Sequence, residues 1–331
     1  MSLLALILPF IFHCNISRRV LPMSQSLSGS NKEASQSKYH VLIDTDIGDD
    51  IDDALALALA LSSPEIELHG VTTVFGNTQL RARLAAQLLH VYGCADIPVA
   101  AGLSFPLQMR HRPSGVPQAA ILNPHVPERI SASSAPEFII QQALAYPNQL
   151  TLVGIGPLTN IATALQMEPR LFLLVRRIIM MGGGSSLPLP DWNVRSDALA
   201  ARYVLSSGIP ITLIGLNITC RCQLLPGDLE RLRAGCSPQT TLLNLLINVW
   251  QRHRPRWQPR LPYLHDPLTI AALCAPHLFE FQEITARVPI KGFMQGFMIP
   301  RLLDGPLVQA AVGIQADTAR EWIMQRLVPD K

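Results

Sequence analysis

Six aspartates crowd into ten residues behind a short apolar run. Val41, Leu42 and Ile43 read as a buried strand; Asp44, Asp46, Asp49, Asp50, Asp52 and Asp53 follow around Gly48, before an alanine and leucine run to Leu61. The pattern is a strand, an acidic turn and a helix. Carboxylates packed at the end of a buried strand repel one another strongly where water is scarce, so a cation belongs among them. Ligands that are all oxygen suit Ca²⁺ or Mg²⁺, and the lack of neighbouring Cys or His argues against zinc. The competing reading is a solvated acidic turn whose aspartates cap a helix; the apolar strand leading into the cluster weighs against it.

Asp44-Thr45-Asp46-Ile47-Gly48, followed by Asp52-Asp53-Ala54-Leu55-Ala56, resembles the N-terminal signature of the calcium-dependent inosine-uridine-preferring nucleoside hydrolases. Where the common family form has one residue between the glycine and the paired aspartates, this chain has three, Asp49, Asp50 and Ile51. Either the turn is expanded by two residues or Asp50 takes a metal-facing place. The expansion is preferred, because Asp53-Ala54-Leu55 then opens the helix as the family pattern implies.

Other stretches carry the resemblance further, in the family's order. Gly76-Asn77 leaves a second strand over 66–74, and in the family this asparagine contributes to the nucleoside pocket; taken alone, Asn77 reads equally as a turn residue. Gly156-Pro157-Leu158-Thr159-Asn160 follows a strand over 150–153. The resemblance makes the carbonyl of Ile155 a calcium ligand, a role that tolerates any side chain, and Thr159 and Asn160 read as helix-capping. The three glycines 182–184 let backbone pass close to a ligand, which is weak evidence alone. Asp191-Trp192-Asn193 is similar to the family's Glu-Phe-Asn segment, whose acid and amide grip ribose hydroxyls; Asp191 is one methylene shorter, Asn193 matches, and Trp192 reads as core packing. The family's Gly-Asn pair just upstream is not evident in 185–190. In His265-Asp266-Pro267 the resemblance makes Asp266 the last carboxylate of the calcium shell and sets His265 beside the leaving base.

The resemblance implies an α/β, Rossmann-like nucleoside hydrolase fold, with a mostly parallel sheet and helices on both faces. It implies hydrolysis of the N-glycosidic bond of ribonucleosides to ribose and free nucleobase, with a calcium-bound water as nucleophile. The sugar gains oxocarbenium character as that bond breaks, so a water must be held on one face and the departing base stabilised. Asp46 is then the general base, and Asp46, Asp52, Asp53, Ile155 and Asp266 surround the metal. Asp44, Asn77, Asp191 and Asn193 contact the substrate, and His265 donates a proton to the base or orients it. A small-molecule ribonucleoside partner, a place in purine or pyrimidine salvage, and a homodimer or homotetramer are implied as well. Two alternatives stand beside this reading. One is a metal-stabilised nucleoside-binding paralogue without turnover; the other is a phosphohydrolase of the haloacid-dehalogenase type, whose Asp-x-Asp resembles Asp44-Thr45-Asp46.

The elements that must position these residues alternate as strand and crossover helix, the pattern of a parallel sheet, in which ligands sit beyond the C-terminal strand ends. Residues 40–331 read as a single domain with a helical insertion at about 223–264, a strand over 211–219, late strands over 284–290 and 308–312, and a last helix over 317–327. Residues 1–39 stand apart as a weak targeting leader or a disordered extension: their apolar run is too short to span a bilayer. The expected location is the cytoplasm, or an organelle or the exterior if 1–39 is a leader. Nothing predicts an integral membrane segment. The proline-rich stretch 105–136 reads as a mobile lid or as an ordered meander, with nothing to choose between them. A net charge of +3 with 15% charged residues predicts no nucleic-acid partner, and Arg252, His253, Arg254, Arg256 and Arg260 read as a solvated loop. The six cysteines read as reduced core residues.

Overall fold

The computed structural model describes residues 38–108, 115–126, 129–256 and 258–328. Residues 1–37 of the expected leader and residues 109–114 and 127–128 of the lid stretch lie outside them, while Tyr39, assigned to the leader, opens the first strand. Nine strands form one sheet among the described residues: β1 (Tyr39–Thr45), β2 (Ile66–Thr73), β3 (Val99–Ala101), β4 (Thr151–Gly154), β5 (Arg177–Met181), β6 (Ile211–Ile214), β7 (Phe279–Arg287), β8 (Ile299–Pro300) and β9 (Leu307–Ile314). Their order is β3-β2-β1-β4-β5-β6-β9-β7-β8. Pairing is parallel from β3 across to β9, and β7 and β8 close that edge antiparallel. This is the expected α/β architecture, and the order from β3 to β6 is that of doubly wound Rossmann sheets.

The helices are α1 (Asp52–Leu61), α2 (Thr78–Val91), α3 (Ala135–Ala145), α4 (Thr159–Met167), α5 (Leu171–Leu174), α6 (Trp192–Ser196), α7 (Ala198–Leu205), α8 (Leu216–Thr219), α9 (Pro226–Ala234), α10 (Pro238–His253), α11 (Pro267–Cys274) and α12 (Ala316–Leu327). They cover both faces, which the period of two along β1 makes necessary. Val41 and Ile43 pack into a core with α1, α2, α10, α11 and α12, whereas Leu42 points into a second core with α3, α4 and α7. Helix α1 is buried from Asp52 through Ala60, so its alanine and leucine run needs no polar stripe. Residues 223–264 carry α9 and α10, and within 105–136 a 3₁₀ turn forms at Pro117–Ile121.

Two boundaries differ from the sequence reading. The strand expected over 211–219 stops at Ile214 and its tail becomes α8. Backbone pairing with the β5 side goes one step further, the Leu216 N–H donating to the Gly183 carbonyl at 2.8 Å, and the chain then turns into α8. Strand β7 begins at Phe279 rather than 284 because β9 offers it a partner from Ile314 onward. The five cysteines among the described residues are free, but Cys220 and Cys236 are exposed rather than core. No helix of the described residues is long and apolar enough to cross a membrane.

Candidate active site

The chain leaves β1 for β2 and β3 on one side and returns to β4 on the other, so the loops beyond β1 and β4 diverge and open a crevice between them. Asp44 and Asp46 stand at the end of β1, and Ile155 directly follows β4. Two helix starts meet them there: Asp52 and Asp53 open α1, and Asp266 precedes Pro267 at the start of α11. Carboxylates at helix N-termini are favoured by the helix dipole, and proline suits the first helical turn.

Asp52, Asp53 and Asp266 each offer an oxygen, and these atoms lie within 4.8 Å of one another, all three residues being buried. Two of them are oriented from behind. The Thr45 hydroxyl donates to Asp53 Oδ1, and the Asp266 backbone N–H donates to Asp52 Oδ2 at 3.4 Å. Burial, and then neighbouring carboxylates, push all three well above the usual carboxylate range. Burial also raises Asp46 to about 7, against the pull of Arg81, and Asp44 to about 7.

Calcium fits this donor set. Oxygen ligands at about 2.4 Å from one ion can stand up to about 4.8 Å apart, and the triad's oxygens all lie within that limit of one another. The donors are hard and anionic, and the nearby cation Arg81 is already paired with Asp49. The residues that would hold the ion are Asp52, Asp53 and Asp266, with Asp46 and the Ile155 carbonyl beside them. That carbonyl accepts from Asn193 Nδ2 at 2.9 Å.

Backbone glycines let the groups approach. A Cβ on Gly156 would fall 2.9 Å from both the amide nitrogen and Oδ1 of Asp46, and one on Gly182 would fall 2.9 Å from Asp191 Oδ1. Asp191 caps α6 by accepting from the Val194 N–H at 2.9 Å, and burial lifts it to about 6 although the surrounding backbone N–H groups hold it down. Its charge acts on Asp46. His265 is half-buried; its Nδ1 lies 2.7 Å from the Thr219 hydroxyl, and burial lowers its pKa to about 4.

Asp44 lies one layer deeper. Its Oδ1 accepts from Thr72 Oγ1 (2.7 Å) and Asn160 Nδ2 (2.8 Å), while its buried Oδ2 has no hydrogen-bond partner among the described residues. Asn160 is therefore a brace for β1, not a cap: its amide also donates to the Thr73 carbonyl at 3.0 Å, and Leu103 N–H donates to its oxygen at 2.9 Å. Thr159 likewise donates to Asp197 Oδ2 at 2.8 Å instead of capping α4. Asn77 is exposed and caps α2, accepting from Leu80 N–H at 3.1 Å. Trp192, expected in the core, is 56% exposed, with the Phe75 ring edge-on at 6.0 Å. It follows the Asp191 cap, and the cap's inward carboxylate turns the next side chain outward.

One residue escaped the sequence reading. Arg81 is fully buried, and it donates to the carbonyls of Phe75 (2.7 Å), Ile47 (2.9 Å) and Asp46 and to the Asp49 carboxylate. Its signal was an arginine in register with Ala85 and Leu88 on the apolar stripe of α2, where a lone charge needs a buried partner.

The sequence profile described as inosine-uridine preferring nucleoside hydrolase matches residues 41–322. The chain is 33% identical over 314 residues to a probable uridine nucleosidase 2 of Arabidopsis thaliana, covering 87% of this chain and 97% of that one. It is 37% identical over 259 residues to a pyrimidine-specific ribonucleoside hydrolase RihA of Shewanella baltica, covering 74% and 80%. Among solved structures, the plant nucleoside hydrolase PpNRh1 superposes with a TM-score of 0.80 at 28% identity over 88% of this chain and 99% of that one. The purine-preferring ribonucleoside hydrolase from Gardnerella vaginalis gives 0.79 at 28%, over 87% and 98%. A match running from β1 into α12 leaves no room for the haloacid-dehalogenase alternative, and the acidic crevice lies where that match begins. The chain belongs to the inosine-uridine-preferring nucleoside hydrolase family, and it is a glycosidase that hydrolyses ribonucleosides.

Proposed function

We propose that the preferred substrates are pyrimidine ribonucleosides, uridine first, and that Asp46 is the general base of the reaction. The observation that carries the second part is the placement of Asp46. It is buried, pressed against Gly156, and close enough to Asp53 and to Asp191 for their charges to act on it. Support for uridine comes from the activities named for the Arabidopsis and Shewanella relatives; the purine-preferring Gardnerella protein is the counterexample within the same fold.

A bound Ca²⁺ supplies the positive charge that offsets these carboxylates and polarises water and sugar hydroxyls beside it. Asp46 accepts the proton of the attacking water as its oxygen bonds to the anomeric carbon. The bond from that carbon to the base nitrogen breaks, and its electron pair leaves with the base. Asp191 and Asn193 line the sugar side, and His265, adjacent in sequence to Asp266, faces the base. Asp44, held by Thr72 and Asn160, fixes the end of β1 behind Asp46. Asn77 and Trp192 stand at the outer rim.

The test is release of free base from uridine, cytidine, inosine, adenosine and their deoxy forms, with Ca²⁺ present or chelated. Uridine should be cleaved fastest, and Asp46→Asn should lower kcat by about 10²–10⁴-fold with Ca²⁺ still bound. Faster release from inosine would overturn the base preference. Unchanged kcat in Asp46→Asn would overturn the role of Asp46.

A further inference from the structure

A second cluster of metal-ligating side chains lies at the other end of the sheet. His40 is the second residue of β1, and the strand rise of about 3.3 Å per residue puts it about 20 Å from Asp46. It pairs in register with Glu67 of β2. The register then steps from Leu68 to Gly70, so His69 is the additional residue of a β-bulge. Bulges re-aim side chains, and this one leaves His69 beside His40, where their Nε2 and Nδ1 atoms are 2.7 Å apart. The two oxygens of Glu67 each stand 3.8 Å from one of these nitrogens.

We propose that His40, His69 and Glu67 form a binding site for one borderline divalent transition cation, with Zn²⁺ the best fit. Two ligands of a tetrahedral zinc ion, with bonds of about 2.0–2.1 Å, are about 3.3 Å apart. The nitrogen–nitrogen distance of 2.7 Å and the 3.8 Å from each nitrogen to its own Glu67 oxygen lie on either side of that value, so an ion enters with shifts of about half an ångström. Two imidazoles and one carboxylate are a donor set suited to Zn²⁺ and not to Ca²⁺, which takes oxygen ligands.

The site is also built. The Tyr146 ring, at the end of α3, stacks on His69 with centroids 3.9 Å apart and on His40 at 5.0 Å, fixing both imidazole planes. The His69 side chain is 9% exposed and that of His40 24%, whereas Glu67 is 50% exposed. The closed side therefore belongs to the imidazoles, and the open side leaves a coordination position to water. Burial keeps His69 below its ordinary pKa, which favours the neutral ring that a metal requires. An ion here would pin the first strand to the second without touching the hydrolytic site.

The test uses the full chain saturated with Ca²⁺, titrated with Zn²⁺ by calorimetry and with Co²⁺ by visible absorption. Wild-type protein should bind an additional equivalent of Zn²⁺, give Co²⁺ bands of a four-coordinate site, and melt at a higher temperature with Zn²⁺. His40→Phe and His69→Phe keep a ring to stack on Tyr146 but lose the donor; each should abolish the additional equivalent and the Zn²⁺ shift in Tm while uridine hydrolysis is unchanged. Glu67→Gln should weaken binding. Absence of the additional equivalent in wild-type protein, or its persistence in His40→Phe, would overturn the proposal and leave a histidine pair joined by a hydrogen bond.

Discussion

The guanidinium of Arg81 on α2 lies 2.7 Å from the carboxylate of Asp49, one of the residues that lengthen the turn after Gly48. The same side chain binds the carbonyls of Asp46 and Ile47, so the expanded turn is tied to the end of β1 by one buried cation. Asp50 turns elsewhere: Ile51 N–H donates to its Oδ1 at 2.7 Å, and Gln258 Nε2 donates to its Oδ2 at 3.0 Å. Gln118 closes the loop from a third direction by donating to the Asp50 carbonyl at 2.5 Å. The additional aspartates therefore lengthen the turn without adding ligands to the triad.

Removing that cation should be costly. Arg81→Met strands a half-buried carboxylate and several buried carbonyls, and breaking a buried pair of this kind costs about 3–5 kcal/mol. Urea unfolding with Ca²⁺ present should show the loss, and adding Asp49→Asn should restore part of it. A single variant as stable as wild type would mean that the turn holds itself.

Gly156→Ala should damage both catalysis and folding. The new Cβ would meet Val74 Cγ1 at 2.8 Å and the amide nitrogen and Oδ1 of Asp46 at 2.9 Å, separations that force the backbone as well as the carboxylate to move. A displacement of about 1 Å at a reacting group can cost about 10²-fold in rate. Steady-state kinetics with uridine should show that fall in kcat, and thermal unfolding should show a lowered Tm; wild-type kcat and Tm would mean that the loop after β4 has room for the methyl group.

How much was legible can be judged from particular residues. The triad was, because Asp52 and Asp53 open a helix and Asp266 precedes a proline, and such local signals survive folding. The parallel sheet was legible from alternation, but the turn into α8 after Ile214 was not, since Leu216-Asn217-Ile218-Thr219 alternates apolar and polar residues as a strand does. Asn160 was misread as a cap because its partners, Asp44 and Thr73, lie 116 and 87 residues away. Trp192 was misread because hydrophobicity predicts burial only on average, and the turn set by Asp191 points it outward. Arg81 was missed for a different reason: one arginine in an apolar stripe shows that a buried partner exists but not which.

Calcium should change the pH dependence of stability. Burial raises the folded pKa of Asp44 and Asp46 to about 7 and of Asp191 to about 6, above the unfolded value of 3.8, and raises Asp52, Asp53 and Asp266 too. Over that range the metal-free folded chain binds more protons than the unfolded chain, so stability falls as pH rises from about 4 through about 7. Ca²⁺ binds the deprotonated carboxylates and stabilises by about 2.7 kcal/mol at 100 times its Kd, a gain that grows as protons leave. Scanning calorimetry from pH 5 to 8 should show Tm falling with chelator and the Ca²⁺ increment widening. An increment independent of pH would place the ion away from these groups.

His265 should act as a neutral ring. Burial holds its pKa at about 4, so from pH 5 to 8 it carries no charge, and its Nδ1 is engaged by the Thr219 hydroxyl at 2.7 Å. With the hydroxyl as donor, the proton sits on Nε2, which leaves that N–H to bind the departing base. Loss of one such donor costs about 10²–10³-fold in kcat. His265→Ala should show this loss with uridine, and the shape of its kcat–pH profile between pH 5 and 8 should match wild type, because the removed group does not titrate there. Thr219→Val, which frees Nδ1 and lets the proton move to it, should lower kcat in the same direction but less. Loss of a limb near pH 6 to 7 in the His265→Ala profile would instead identify an imidazolium acid, and nitrogen chemical shifts of the ring, followed from pH 4 to 8, would show the charge directly.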